Sequence, residues 1–150
     1  MCGALAERFE LVPVCPEVEV GMGVPRDPVR LVGLGASTRM IAPRTGRDFT
    51  AEMNAWAEAR VRALAAEGLC GYVLKKDSPS CGLDGVKSYA TVEADAPDST
   101  AGVGLFAAAL RRRLPALPVV EETELDDPAA RDAFVERVLA YQRARPSDGR

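Results

Sequence analysis

Two short motifs place groups capable of chemistry side by side. Cys15-Pro16-Glu17 sets a thiol two residues from a carboxylate. Ser78-Pro79-Ser80-Cys81-Gly82 sets a second thiol between hydroxyls, in a turn that proline and glycine favour. Lys75 and Lys76 lie just upstream of it, and a nearby cation lowers a thiol pKa. The chain has four cysteines and no histidine, which excludes Ser-His-Asp and Cys-His arrangements and imidazole metal ligands. A metal here would be held by cysteine sulfur, and protons would move on carboxylates, lysines, hydroxyls or thiols. Cys15 and Cys81 form no CxxC pair, so the residues alone leave two readings open. Either the two thiols serve metal or chemistry, or they are inert buried cysteines. Cys70 sits inside an apolar run and reads as a core residue, and Cys2 reads as an incidental thiol near a terminus.

The elements that must position these groups follow from the hydrophobic pattern. Glu10–Val14 reads as a short buried strand running into Cys15, although Pro13 lacks a ladder donor. Residues 18–47 hold many glycines and prolines and read as loop, with one short strand at Val29–Val32. Phe49, Met53, Trp56, Ala57, Val61 and Leu64 recur at helical spacing, with Asp48 or Thr50 as cap and Gly68 just past the end. Leu69–Leu74 reads as a strand buried on both faces, ending just before the second motif. Val86–Ala94 and Pro118–Glu121 read as strands and Gly104–Arg113 as a short helix. Asp127-Pro128 is a cap and first-turn pair opening a last helix, with Phe134, Val135, Val138, Leu139 and Tyr141 turned inward. Strands alternating with helices imply an α/β fold, three-layered and Rossmann-like, with a mostly parallel sheet. Sites in such sheets lie beyond the carboxyl ends of strands, where both Cys15 and Cys81 are expected.

At 150 residues and 47% hydrophobic, the chain is read as a single domain over residues 1–145, with 146–150 a frayed tail. A net charge of −3 and a pI near 5.1 argue against a broad basic nucleic-acid footprint, although RNA contact through a local pocket stays open. No apolar run reaches membrane-spanning length, and no signal peptide is evident, so a cytoplasmic location with reduced cysteines is expected.

Several stretches together resemble the thiouracil desulfurase family: Val12 to Val18, Gly21-Met22-Gly23-Val24-Pro25-Arg26, and Lys76-Asp77-Ser78-Pro79-Ser80-Cys81-Gly82. Tyr72 to Lys76, Gly102-Val103-Gly104, Pro118 to Glu122 and Phe134 to Arg137 extend the likeness over nearly the whole chain. The resemblance implies a [4Fe-4S] cluster with one open iron, held by three cysteines, of which Cys15 and Cys81 match two. An open iron is a Lewis acid that can accept the sulfur of a thiocarbonyl while water replaces it at carbon, without net redox change. The implied substrate is a small-molecule thiopyrimidine or thiolated nucleotide. Glu17, Ser78 and Ser80 are the candidate proton carriers, and Lys76 a candidate to polarise the substrate oxygen. Family members carry their first cluster cysteine on a strand and loop before the Cys-Pro-Glu motif. This chain reads as N-terminally shortened there, leaving Cys2 as a weak substitute ligand and an unpaired sheet edge that favours homo-oligomers.

The remaining motifs have plainer readings beside sharper ones. Gly21 and Gly23 are expected to shape a pocket wall. Arg26 would hold a phosphate or pyrimidine oxygen, or else a loop-fixing ion pair. Gly102-Val103-Gly104 reads as a plain helix-start turn, with anion binding as the alternative. Arg111-Arg112-Arg113 reads as a solvated helix end, with nucleic-acid contact as the alternative, and Glu121-Glu122 as a surface acidic pair that its place after a strand leaves within reach of a site. Two other functions compete with the desulfidase: a truncated, non-catalytic accessory domain, and a cluster-free thiol enzyme using a fast-reacting Cys81.

Overall fold

The computed structural model describes residues 2–145, without the side chain of Cys2. The 146–150 stretch, expected to fray, lies outside the described residues. Helix α1 (Cys2–Ala6) is followed by a four-residue helix α2 (Pro16–Glu19). Strands β1 (Arg30–Val32) and β2 (Arg39–Ile41) flank a 3-10 turn at Gly35–Ser37. Helix α3 (Thr50–Ala66) leads to β3 (Tyr72–Leu74), β4 (Val86–Tyr89) and β5 (Ser99–Gly102). Helix α4 (Leu105–Arg113), β6 (Val119–Glu121), a 3-10 turn at Glu122–Asp126 and α5 (Pro128–Ala144) complete the order.

The strands form two ladders. In the four-stranded one, β2-β1-β4-β5, the β1–β4 pairing is parallel and the two outer pairings are antiparallel. In the two-stranded one, β3 and β6 run parallel, with Leu74 opposite Glu121. Side chains alternate across that pair. Leu74 joins a core with Ala57, Val61 and Leu64 of α3 and Phe106 and Leu110 of α4. Val120 faces the other way, into a core with Leu5 of α1 and Phe134, Val135 and Val138 of α5. The small ladder is thus the middle of three layers. The larger ladder packs through Leu31, Met40 and Val86 on Phe49, Met53 and Leu105. The expected α/β class is borne out. Among the described residues, no helix is long and apolar enough to cross a membrane.

The long helices form where periodicity puts them. Met53, Ala57, Val61 and Leu64 are the buried stripe of α3, and Asp48 accepts the Thr50 N–H at 2.9 Å. Asp127 accepts the Ala129 N–H at 3.1 Å and opens α5 at Pro128. Arg145 reaches back to close the end of α3, donating to the carbonyls of Leu69 and Ala65.

Two strand expectations are corrected. Glu10–Val14 has no regular secondary structure and belongs to neither ladder, and Leu11 and Val12 are 46% and 51% exposed. Pro13 and Pro16 have no N–H to give a neighbour, so an apolar run here has no ladder to join. The run Leu69–Leu74 is not buried on both faces either. Only its last three residues are strand, Val73 is exposed, and Cys70 is half-buried with its Sγ near the Gly68 carbonyl. Gly71 lacks a side chain for a packing reason: a Cβ there would lie 2.7 Å from Val138 Cγ2 of α5.

Candidate active site

The second motif is built on the start of α4. The Pro79 carbonyl accepts from Leu105 N–H at 3.1 Å, and the Ser80 carbonyl accepts from Phe106 and Ala107 N–H at 2.9 and 3.1 Å. Gly104 N–H donates to the Gly82 carbonyl at 2.8 Å. The first N–H groups of a helix have no partner within it, and here the motif's carbonyls satisfy them. The anion-binding alternative for Gly102-Val103-Gly104 is therefore overturned, because the donors it needs are occupied. Gly104 allows the approach: a Cβ would stand 2.5 Å from Ser80 C and O and 2.6 Å from Cys81 N.

Ser78 is the hub of the turn. Its carbonyl accepts from Gly82 N–H at 2.8 Å, and its Oγ accepts from the N–H of Cys81 at 3.1 Å and lies 3.0 Å from Ser80 Oγ. The chain enters the turn through Asp77, whose φ of 60° is left-handed. Two carboxylates pin the flanks. Glu122 accepts the Lys76 N–H at 2.7 Å, and buried Glu121 accepts the Leu83 N–H at 2.9 Å. The acidic pair is thus a brace for the motif rather than surface decoration.

The first motif is held from the side-chain end. Cys15 precedes α2 in an extended conformation, its residue exposed, while Pro16 beside it is buried. It does not follow a strand, contrary to expectation. Glu17 Oε1 accepts from Ser80 Oγ at 3.1 Å and its Oε2 from Arg26 Nε at 2.7 Å. Arg26 also places Nη2 3.9 Å from Cys15 Sγ and Nη1 3.4 Å from the Gly23 carbonyl. Ser80 Oγ lies 3.6 Å from Cys81 Sγ. One chain of contacts therefore runs Cys15–Arg26–Glu17–Ser80–Cys81. A cavity of about 350 Å³ opens beside it, lined by Glu17, Arg26, Asp27, Pro28, Val29 and Pro79.

The electrostatics differ from the expectation at Cys81. Burial pushes its thiol up, the Ser80 hydrogen bond opposes this, and the charges of Glu17 and Cys15 add to the rise. Lys75 and Lys76 are exposed and do not contribute. A raised, buried thiol does not support the cluster-free enzyme with a fast-reacting Cys81. Hydrogen bonding to Glu17 holds the Arg26 proton more firmly; burial opposes this, and the charges of Glu17 and Cys15 add to the rise. Tyr72, packed on Phe106 at 5.4 Å between ring centroids, is raised chiefly by burial and further by the charge of Cys81.

A sequence profile of the 2-thiouracil desulfurase family matches residues 1–122. The chain belongs to this family. Among solved structures, it is similar to a [4Fe-4S]-dependent thiouracil desulfidase, TudS, with a TM-score of 0.67 and 31% identity over 90% of this chain and 81% of that one. No curated protein matches it.

For the kind of cluster on which TudS depends, the described residues offer two sulfur donors. Cys15 and Cys81 supply soft sulfur and belong to one contact network. Among the described residues no three or more Cys, Asp or Glu side chains converge on a metal position. The side chain of Cys2, the weak candidate, lies outside them.

The structure gathers Cys15, Glu17, Arg26, Ser78, Ser80 and Cys81 and leaves three expected residues apart. Lys76 is exposed and makes no side-chain contact with the network, and only its N–H is used. Gly21 and Gly23 do not line the cavity; at φ of 96° and 80° they turn the loop so that Arg26 reaches back to Glu17. Arg26 makes the ion pair with Glu17, has three of its five donors engaged within the site and lines the cavity. Sequence reasoning missed Gly104 as a close-approach position and the bracing by Glu121 and Glu122. A glycine opening a helix and acids ending a strand were the available signals. It also missed the anchoring of α2, where Glu19 pairs with Arg60 of α3 at 3.1 Å.

Proposed function

We propose that the chain is an iron–sulfur-dependent desulfidase that removes sulfur from a thiolated pyrimidine, as free base, nucleotide or RNA component, by non-redox hydrolysis. The observation that carries this reading is the contact chain joining the thiols of both motifs through Arg26, Glu17 and Ser80. Cys15 and Cys81 would hold a [4Fe-4S] cluster with one open iron, which supplies, when bound, a soft Lewis acid for a sulfur atom.

The chain's own residues account for the rest. The cavity beside Glu17 is large enough for a pyrimidine, and its carboxylate faces both the cavity and Ser80. In the net reaction water gives oxygen to the ring carbon, sulfur leaves as sulfide, and two protons must move. Glu17 Oε1 takes one proton from the attacking water and returns it, directly or by way of Ser80 Oγ and Ser78 Oγ, to the departing sulfur. The second water proton follows as the new carbonyl forms, so water and thiocarbonyl give carbonyl and hydrogen sulfide. Arg26 keeps the other Glu17 oxygen occupied, so the carboxylate presents one edge. Anaerobic reconstitution with iron and sulfide should give a coloured protein that releases sulfide from thiouracil or its nucleotides. A colourless protein that takes up no iron overturns the reading.

The two-thiol donor set favours one second reading, a non-catalytic accessory domain of the same family. It predicts a folded protein that binds thiopyrimidines or a second copy of itself without releasing sulfide.

A further inference from the structure

Two described side chains touch both a candidate ligand sulfur and the candidate base: Ser80, between Cys81 and Glu17, and Arg26, between Cys15 and Glu17. The Arg26 guanidinium is a planar fork whose donors point in fixed directions. Nε is 2.7 Å from Glu17 Oε2, Nη2 is 3.9 Å from Cys15 Sγ, and Nη1 reaches the Gly23 carbonyl of its own loop at 3.4 Å. The ion pair is shielded, with the Arg26 and Glu17 side chains 28% and 17% exposed. Cys15 needs such a support. It stands at the mouth of a four-residue helix, exposed, without the backbone cradle that surrounds Cys81.

We propose that Arg26 is a positioning residue that fixes the Cys15 sulfur and the Glu17 carboxylate to each other, so that ligand and base keep one geometry. The proposal rests on the desulfidase reading for its consequence, while the bridge itself can be tested without iron. An N–H donor to a ligating sulfur holds that sulfur in place, and loss of such outer contacts typically weakens metal binding about 10–100-fold. Lysine retains the positive charge but not the fork, so it can replace the electrostatic part and not the simultaneous hold on both groups.

The experiment uses the full chain with Arg26→Gln and Arg26→Lys. In the iron-free native protein, the Arg26 Nε–H resonance, identified by its loss in Arg26→Gln, should exchange slowly. Exchange should become at least about tenfold faster in Cys15→Ser and in Glu17→Gln. After anaerobic reconstitution, Arg26→Gln should lose iron to a chelator on the order of 10–100-fold faster than native protein, with Arg26→Lys between the two. Equal iron loss in all three proteins, or an Nε–H indifferent to Cys15→Ser, overturns the proposal. If native protein takes up no iron, the desulfidase reading falls and the exchange measurement alone decides the bridge.

Discussion

The two cysteine motifs do the same kind of work on opposite terms. Cys81 sits in a turn whose carbonyls satisfy the start of α4, whose N–H groups are met by Ser78, and whose flanks are pinned by Glu121 and Glu122. Its position is set by backbone hydrogen bonds in a buried setting, where each unmade bond is costly. Cys15 is exposed, follows a stretch outside both ladders, and is held through side chains: Glu17 to Ser80, Arg26 to Glu17, Glu19 to Arg60. These contacts are part-buried, and each depends on the rotamers of two side chains rather than on the backbone path. One half of the candidate site is therefore held by backbone hydrogen bonds, and the other by side-chain contacts that tie it to Ser80 and to α3.

The sharpest way to break this contrast is differential thiol labelling of iron-free native protein. Peptide mapping by mass spectrometry should find Cys15 alkylated on the order of a thousandfold faster than Cys81, because a buried thiol reacts only after an opening of about 4 kcal/mol. Similar rates for both would show that the second motif is as loose as the first.

Gly104→Ala comes next. A Cβ 2.5 Å from the Ser80 carbonyl forces α4 and the motif apart, at a cost of about 3 kcal/mol. Calorimetry should show a melting temperature lower by roughly 10 °C, since about 1 kcal/mol corresponds to a few degrees at this chain length. Cys81 labelling should accelerate in the same variant.

Removal of one brace should do less. Glu121→Ala removes the buried acceptor of the half-buried Leu83 N–H and should cost about 1 kcal/mol by denaturant titration. The smallest effect belongs to the approach to Cys15. Val12→Thr should change stability by less than about 0.5 kcal/mol, as expected for an exposed position. A loss of 1 kcal/mol or more by the same titration would mean that this stretch is structural after all.

What could be read in advance depended on whether the deciding contacts are local. The stripes of α3 and α5 and the Asp127-Pro128 start are short-range consequences of side-chain spacing and capping, and they form as read. The fate of Glu10–Val14 is not local. Its apolar residues satisfy a strand pattern, but a strand exists only where a neighbour accepts and donates, and Pro13 limits what this stretch can offer. Gly104 likewise looks like any glycine at a helix start until Ser80 arrives against it.

The sequence by itself determined which residues carry chemistry: two thiols, a carboxylate and two hydroxyls in two motifs, with sulfur favoured as metal donor because histidine is absent. Only the tertiary structure decided how they act on one another. It joins Glu17 to Ser80 across 63 positions, commits Arg26 inside the site, buries Cys81 and leaves Cys15 exposed. The physical reason is that hydrogen bonds and burial depend on which surfaces pack together. That was set here by the start of α4 closing on the second motif and α2 docking against α3.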